Sequence, residues 1–290
     1  MLVVGSDGMG SWINHLTEPI LKRAFPHTKI SFDKTKKPDI VIRSHFHHLE
    51  PEPSYSCPYI SWSGESYRVS PKKDYAPIFE LNTFHDSSID NNIYLPHLIA
   101  EMKSVERPGI NTPKKYCCAY AFSNRVPQRE RLFWTMRLNE PTCYSFGSSC
   151  YTKNNPFELP KNKRGENDSA FNEFGFIVAM ENKIAPGYLT EKIGFAYKSG
   201  GVPIYWGDSS TVSDFFNPES YIDVSMFTTP DDAGKYAVEV WKDKQKLQKY
   251  LDAPITLNSR IDDYFAVYTE YRPWQKKFID ILRDTFPDLS

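Results

Sequence analysis

The sequence has few cysteines, and it contains no Cys-x-x-C pair. Its five cysteines are an odd number within 290 residues, which disfavours both a disulfide framework and a structural zinc site. A run of about 18 apolar residues, the length that a membrane-spanning helix needs, is also missing. The first residues, Met1 to Gly8, lack the basic and apolar regions of a secretory signal. We therefore expect a chain without a membrane span, in a reducing compartment.

Neither sign of charge is in excess. Lysine and arginine number 35 against 36 aspartates and glutamates, so the net charge is −1. A large excess of charge would suggest a nucleic acid or an anionic membrane as the main partner, and we expect neither here. Hydrophobic residues make up 40% of the chain and aromatic residues 15%, which is typical of a globular protein.

Segments typical of strands and helices alternate in two successive halves, separated by a linker at Ser104–Pro113 that is rich in proline. The pattern predicts an α/β fold with two Rossmann-like domains that face each other across a cleft. We place the N-terminal domain at residues 1–108, completed by a C-terminal helix at 273–290, and the C-terminal domain at 112–265. One long charged amphipathic helix is predicted from Asp232 to Leu251.

The most informative stretch runs from Phe176 to Gly207. It predicts a buried strand, a polar loop, a helix that begins at Thr190-Glu191-Lys192, and a second buried strand. Ligands of open α/β sheets bind at the carboxyl ends of the strands, where helix N-termini face them. Thr190 suits the N-cap position, Lys192 suits a phosphate, and Glu191 suits the hydroxyl groups of a ribose. A surface helix that simply starts with Glu-Lys is the alternative.

Two other residues, Arg129 and Glu65, are predicted to lie where α/β folds place groups that bind ligands or catalyse reactions. Arg129 begins the helix after the apolar run 116–122, where helices of such folds face phosphates, although Arg125, Arg129 and Arg131 could instead form a solvated cationic face. Glu65 follows the apolar run 59–62 on a turn at Gly64. A carboxylate at the carboxyl end of a strand is placed as a general base would be, but an ordinary exposed glutamate is the alternative.

Motifs typical of metal binding are few in the sequence. No Asp-x-Asp motif occurs, and this motif holds a divalent cation against the diphosphate in many enzymes that use sugar nucleotides. His45, His47 and His48 form a His-x-His pattern, which by itself is only a weak indication of a metal site. We therefore predict no metal site. His45 and His47, which follow the strand-like run 39–42, are instead candidates for the side of the cleft that binds an acceptor, together with Trp62.

Three blocks of sequence carry a family resemblance. They are Glu181-Asn-x₅-Tyr188-x-Thr-Glu-Lys192, Val202-Pro-Ile-Tyr-Trp-Gly207 and Phe216-Asn-Pro-Glu-Ser-Tyr-Ile-Asp-Val224. In this order the blocks resemble the α-1,3/4-fucosyltransferases of glycosyltransferase family 10. A weaker likeness extends upstream to Ser123-Asn124 with Arg129 and to Ser63-Gly-Glu-Ser66.

The resemblance implies a GT-B fold with an N-terminal acceptor domain and a C-terminal GDP-fucose domain. It implies that Glu65 is the general base and that Glu191 binds the ribose of the donor. The other donor contacts that it implies are Arg129 and Lys192 on the diphosphate, with Asn182 and Tyr188 beside them. A soluble bacterial or viral member of the family is indicated, so we expect a cytoplasmic location, which for a viral protein is the host cytoplasm.

The function that we predict is the inverting transfer of L-fucose from GDP-β-L-fucose to a hydroxyl of a glycan, as an α-1,3 linkage to GlcNAc or Glc. The expected partners are GDP-fucose and an oligosaccharide acceptor. No cofactor is expected to be required, while stimulation by a divalent metal stays open. Two alternatives remain: a GT-B transferase that uses another nucleotide sugar, and a catalytically silent glycan-binding module.

Overall fold

The computed structural model describes residues 1–7, 12–45, 57–68, 76–108, 112–158, 168–258 and 260–289. These residues separate into two compact units. Unit 1 comprises Met1–Ser104, Ala185–Tyr188 and Arg260–Ser290, and unit 2 comprises Val105–Ile184 and Leu189–Ser259. In the ranges that the structure describes, no helix combines the length and the apolar character that crossing a membrane requires.

In the described residues, most strands of the first half follow one another without a helix between them, whereas strands and helices mostly alternate in the second half before a final series of helices. The strands are β1 (Leu2–Asp7), β2 (Ile30–Ser31), β3 (Ile40–Ser44), β4 (Tyr59–Ser63), β5 (Phe79–Asn82), β6 (Asn92–Tyr94), β7 (Tyr116–Tyr120), β8 (Cys143–Ser145), β9 (Phe174–Met180), β10 (Val202–Trp206) and β11 (Ile222–Asp223). The α-helices are α1 (Trp12–Ala24), α2 (His97–Glu101), α3 (Pro127–Asn139), α4 (Glu191–Lys198), α5 (Ser209–Phe215), α6 (Pro230–Lys242), α7 (Lys244–Asp252), α8 (Arg260–Phe265) and α9 (Lys276–Thr285).

Unit 1 is built on a parallel sheet with the strand order β2-β1-β3-β4-β5-β6. Every residue of β3, β4 and β5 is buried, as expected for parallel strands whose two faces are both covered. Helix α9 supplies part of this cover, because Phe278 is fully buried and its ring centroid lies 4.3 Å from that of Phe79. The segment Ala185–Tyr188 joins this unit through hydrogen bonds from His85 N to Pro186 O (2.8 Å) and from Tyr94 Oη to Gly187 O (2.8 Å).

Unit 2 is built on a second parallel sheet, with the order β11-β10-β9-β7-β8. All seven residues of β9 are buried, and its neighbours are β7 on one side and β10 on the other. The core combines residues of these strands with apolar residues of α3, α6 and α7, including Phe133, Ala237 and Leu251. The carboxyl ends of β7, β9 and β10 therefore meet at one edge of the sheet, which is where a ligand is expected in such folds.

The long helix predicted from Asp232 to Leu251 is wrong. The structure has two helices, α6 and α7, which are separated at Asp243. Asp243 adopts an extended backbone conformation, and its carboxylate accepts hydrogen bonds from the backbone of Gln245 and Lys246 (both 3.1 Å). A short side chain that caps the next helix breaks a continuous helical pattern, because it offers the backbone a different set of hydrogen bonds.

Candidate donor and base sites

A buried carboxylate marks the edge of the unit 2 sheet. Glu181 directly follows β9, and its side chain is completely buried. Its backbone N–H donates to Trp206 O (2.7 Å), which extends the pairing of β9 with β10 by one residue. The backbone thus fixes the point from which the Glu181 side chain leaves the sheet.

The Glu181 carboxylate binds the segment that opens α4. Its Oε1 accepts from the backbone N of Thr190 (2.8 Å), and both of its oxygens lie 2.8 Å from Thr190 Oγ1. Its Oε2 accepts from Lys192 Nζ at 3.0 Å, and Lys192 Nζ also donates to Thr190 Oγ1 at 2.8 Å. A buried carboxylate needs this many partners, because an unpaired charge in the interior is very costly.

These contacts leave the start of α4 without a side-chain cap. Thr190 occupies the N-cap position, as the sequence predicts, but its hydroxyl is bound to Glu181 and Lys192 and caps no backbone N–H. The helix therefore presents N–H groups of its first turn and the positive end of its dipole at the edge of the sheet. Such an end attracts anions.

Arg129 is held from several sides. Its side chain is fully buried, and its Nη2 donates to Met180 O (2.7 Å) and to Asn182 Oδ1 (3.0 Å). The guanidinium carbon lies 3.7 Å from the centroid of the Phe122 ring, which is a cation–π contact. These restraints hold the guanidinium at the same edge of the sheet as Glu181.

The alternative of one solvated cationic face on α3 does not hold for Arg129. Arg125 and Arg131 are exposed, with 80% and 61% of their side-chain surface accessible, and they pair with Glu130 and Asp231. Arg129 lies on the opposite, buried side of the helix. The sequence pattern could not separate the three arginines, because they differ in the direction of the side chain and not in residue type.

The charge of Lys192 is maintained despite its surroundings. Burial acts to lower the pKa of its ammonium group, but Glu181 and Glu191 act in the opposite direction, and the pKa lies above its usual value. The nearest Glu191 oxygen is 3.9 Å from Lys192 Nζ. Lys192 is consequently cationic at neutral pH, and it is balanced by carboxylates.

The structure brings four of the five predicted donor residues together in unit 2: Arg129, Asn182, Glu191 and Lys192. The fifth, Tyr188, is buried, and its backbone N donates to Ala185 O (3.0 Å) within the segment that belongs to unit 1. Glu181 belongs to the first family block, but the sequence predicts no role for it. Its position immediately after a fully apolar strand is the signal that could have identified it, since the same rule pointed to Glu65.

The other predicted residues lie in unit 1. Glu65 follows β4 on a turn, where its backbone N donates to Ser63 Oγ (3.3 Å) and its side chain is partly exposed. Trp62 and His45 are buried, and His45 packs edge-on against Tyr67 with 5.7 Å between ring centroids. His47 and His48 fall outside the described residues. Within the described ranges, no three His, Cys, Asp or Glu side chains converge as a metal site would require.

Comparison with known families identifies the chain. The family model for the C-terminal region of glycosyltransferase family 10 (fucosyltransferase) matches residues 111–259, which is half of the chain and nearly all of unit 2. The chain therefore belongs to glycosyltransferase family 10, and the resemblance read from the sequence is confirmed.

Relatives and solved structures agree with this assignment. The chain is 42% identical over 80 residues to an alpha-(1,3)-fucosyltransferase of Helicobacter pylori, covering 26% of this chain and 16% of that protein. It is 26% identical over 192 residues to a protein of Acanthamoeba polyphaga mimivirus described as a fucosyltransferase, covering 61% of this chain and 31% of that protein. The matches span less than half the length of these curated relatives.

A crystal structure of an alpha1,3-fucosyltransferase with GDP-fucose superposes with a TM-score of 0.67 at 18% identity, covering 99% of this chain and 90% of that chain. At this identity the likeness shows the fold. The prediction of an α/β fold of GT-B type is confirmed.

Proposed function

We propose that the chain is an inverting fucosyltransferase, which transfers L-fucose from GDP-β-L-fucose to a glycan hydroxyl as an α-1,3 linkage to GlcNAc or Glc. The observation that carries the proposal is the pair of restrained cations, Arg129 and Lys192, at the uncapped start of α4. Membership of family 10 supports fucose as the transferred sugar. The name of the Helicobacter pylori relative supports the α-1,3 linkage.

The cation pair suits the diphosphate of GDP. Lys192 is held by Glu181, and Arg129 is held by Met180 O and Asn182, so neither cation has to be reorganised when charge develops on the leaving group. Preorganised charges of this kind are often the largest single contribution to catalysis. In this proposal the two cations and the amides of α4 stabilise the departing GDP, and no metal is required. Glu191 binds the ribose, and Asn182 and Tyr188 complete the donor contacts.

Glu65 provides the base. It takes the proton of the acceptor hydroxyl while the hydroxyl oxygen forms a bond to the anomeric carbon of fucose. The bond from that carbon to the phosphate oxygen breaks on the opposite face, and GDP leaves with the electron pair. A single displacement of this kind inverts the configuration and needs one protein base. We place the activity in the cytoplasm, or in the host cytoplasm for a viral protein, with a glycan rather than a nucleic acid as the acceptor.

A donor panel followed by a transfer assay tests the proposal. GDP-fucose and GDP should raise the midpoint of thermal unfolding, because a ligand of the folded state stabilises it by mass action, whereas UDP-sugars should have little effect. GDP-mannose carries the same GDP group, so it is distinguished from GDP-fucose by the transfer assay. Transfer to lactose or N-acetyllactosamine should give an α-linked product by NMR, and turnover in excess chelator should stay within a few-fold of that with added magnesium.

Two results would replace the proposal. Stabilisation by a different nucleotide sugar, with transfer of that sugar, would make the chain another GT-B transferase. Binding of a glycan without any transfer would make it a glycan-binding module. Loss of turnover on chelation, restored by metal, would reject the metal-independent part alone.

A further inference from the structure

A histidine outside every family block lies against the turn that carries Glu65. His97 is the first residue of α2, and its Nδ1 lies 3.1 Å from Gly64 O. Its Nε2 lies 3.3 Å from Glu101 Oε1, one helical turn further along the chain. The ring stands perpendicular to the indole of Trp62, at 88° with 6.1 Å between centroids. The backbone of His97 is fixed as well, since its N donates to Thr83 Oγ1 (2.8 Å).

The contact with Gly64 places a hydrogen on Nδ1 of the histidine. A carbonyl oxygen can only accept a hydrogen bond, so the hydrogen between the two groups belongs to Nδ1. The ring also fills the space beside Gly64. A Cβ atom at this position would lie 2.7 Å from both Nδ1 and Cε1 of His97, so a side chain at residue 64 and the observed ring position exclude each other.

The carbonyl that His97 holds belongs to the peptide that leads into Glu65. The peptide group is planar, so its carbonyl oxygen and the nitrogen of Glu65 turn together. Glycine leaves the backbone before this peptide unusually free to rotate. The Glu65 nitrogen is bound to Ser63 Oγ on the other side (3.3 Å). In the described part of the chain, the hydrogen bonds of Glu65 join its backbone N and O to Ser63 Oγ, and none reaches its carboxylate.

We propose that His97 is a positioning residue for Glu65. Through the bond from Nδ1 to Gly64 O it fixes the peptide plane before Glu65, and with it the direction in which the carboxylate leaves the turn. The proposal rests on the proposed function, because it concerns the base of that reaction. A displacement of about 1 Å in a reacting group can cost about 10²-fold in rate, so restraint of this turn matters for the chemical step.

Two substitutions of His97 separate the bond to Gly64 from the bond to Glu101. In His97→Asn the amide nitrogen takes the place of Nδ1, whereas in His97→Gln it reaches the place of Nε2. We expect His97→Asn to keep kcat within about threefold of the wild type and His97→Gln to lower it about tenfold or more. The affinity for GDP, measured by calorimetry, should change in neither variant, because the proposed donor cations lie in unit 2. Glu101→Gln, which leaves the Gly64 bond in place, is the matched control and should keep nearly normal kcat.

Each other outcome overturns the inference. An equal loss in both His97 variants would indicate that the ring acts by packing alone, and a larger loss in His97→Asn would assign the effect to Glu101. Normal kcat in both His97 variants would show that the turn at Glu65 does not depend on the hydrogen bond from His97. Thermal unfolding and GDP binding check that the variants are folded. Glu65→Gln is assayed in parallel to tell failure of the proposed function from failure of the positioning role. Normal kcat in Glu65→Gln rejects Glu65 as the base. A lowered kcat in Glu65→Gln, together with equal kcat values in the two His97 variants, rejects only the positioning role.

Discussion

At the scale of single residues, the charges of the proposed donor cluster are balanced before any ligand binds. Arg129 and Lys192 are offset by Glu181 and Glu191, and Lys192 is bound directly to Glu181. In the proposed complex, the diphosphate contacts a lysine whose position is set by a buried carboxylate, so the affinity for GDP should depend on a residue that need not touch GDP.

The first prediction tests this dependence. Lys192→Ala should weaken GDP binding by about 1.5–3 kcal/mol, because a charge-assisted contact is lost. Glu181→Gln should also weaken it, since the amide cannot hold the ammonium group as the carboxylate does. In a Lys192→Ala background, Glu181→Gln should have little further effect, because the two residues act as a pair. Titration calorimetry of the four proteins gives the coupling directly.

Lys244→Ala is the control for charge alone, since Lys244 is an exposed lysine of α7. If the effects of Lys192→Ala and Glu181→Gln on GDP binding were additive, the two residues would not be coupled. Tighter GDP binding in Glu181→Gln would mean that the carboxylate acts on the ligand mainly by repulsion.

The second prediction concerns Glu65. Glu65→Gln should lower the chemical step by about two to four orders of magnitude, because the amide cannot take the acceptor proton. GDP-fucose binding should be retained. The comparison protein is Glu18→Gln, in which the substituted residue is a partly exposed glutamate of α1 that pairs with Lys22. Single-turnover kinetics with saturating donor measure the effect, and a rate near that of the wild type would remove Glu65 from the mechanism.

Position in the sequence predicted that Thr190, Lys192 and Arg129 lie at helix starts, and the structure places them there. Their roles in binding stay predictions. Position in the sequence could not predict the partner of Lys192. Glu181 and Lys192 are separated by the loop 182–189, and part of that loop, Ala185–Tyr188, packs with unit 1. The path of such a loop depends on contacts with residues such as His85 and Tyr94, which are remote in the sequence.

At the scale of elements, apolar runs predicted the strands closely, because buried parallel strands leave little room for polar residues. The run 59–62 corresponds to β4 and the run 202–206 to β10. Helix ends were harder to predict. The amphipathic pattern continues from α6 into α7, and only the local hydrogen bonds of Asp243 interrupt it. Periodicity reports which face is buried and does not report a break between two helices that bury the same face.

The third prediction concerns this break. Asp243→Ala should lower the free energy of unfolding by about 1 kcal/mol, the usual cost of removing an N-cap side chain. Chemical denaturation measures the change. Asp284→Ala, at an exposed position of α9, should change it by less than about 0.5 kcal/mol. Equal effects of the two substitutions would show that the cap contributes nothing to stability.

At the scale of the whole molecule, a partly buried lysine connects distant parts of unit 2. Lys114 Nζ donates to Asn172 O (2.6 Å) and to Gly200 O (2.8 Å), just beyond the end of α4. Burial, and secondly the nearby charge of Arg107, lower the pKa of Lys114 from its usual value of 10.5 to about 8. The folded state therefore holds this proton less tightly than the unfolded state does.

The fourth prediction follows from that difference. Stability rises with pH wherever the unfolded chain binds more protons, which for Lys114 is the interval from about 8 to 10.5. Below that interval the penalty for burying the charge is fully present, and above it the penalty is gone. Wild-type protein should thus gain stability relative to Lys114→Met as the pH rises from 8 to 10. Paired urea titrations across this range measure the difference, and parallel curves for the two proteins would refute it.

The order of the chain through the two units has a consequence for biosynthesis. Unit 2 is complete once residue 259 has left the ribosome, whereas unit 1 still lacks residues 260–290 and with them the helix that covers Phe79. At usual rates of translation the first 104 residues wait on the order of ten seconds for unit 2 to be made, and then longer for α9.

A nascent chain stalled with residue 259 just outside the exit tunnel should resist brief proteolysis in unit 2 and be cut in its N-terminal segment. Protection of both regions at that length would mean that the sheet of unit 1 closes without its last helix. The protein thus finishes its proposed donor half before its proposed base half, although the base comes first along the gene.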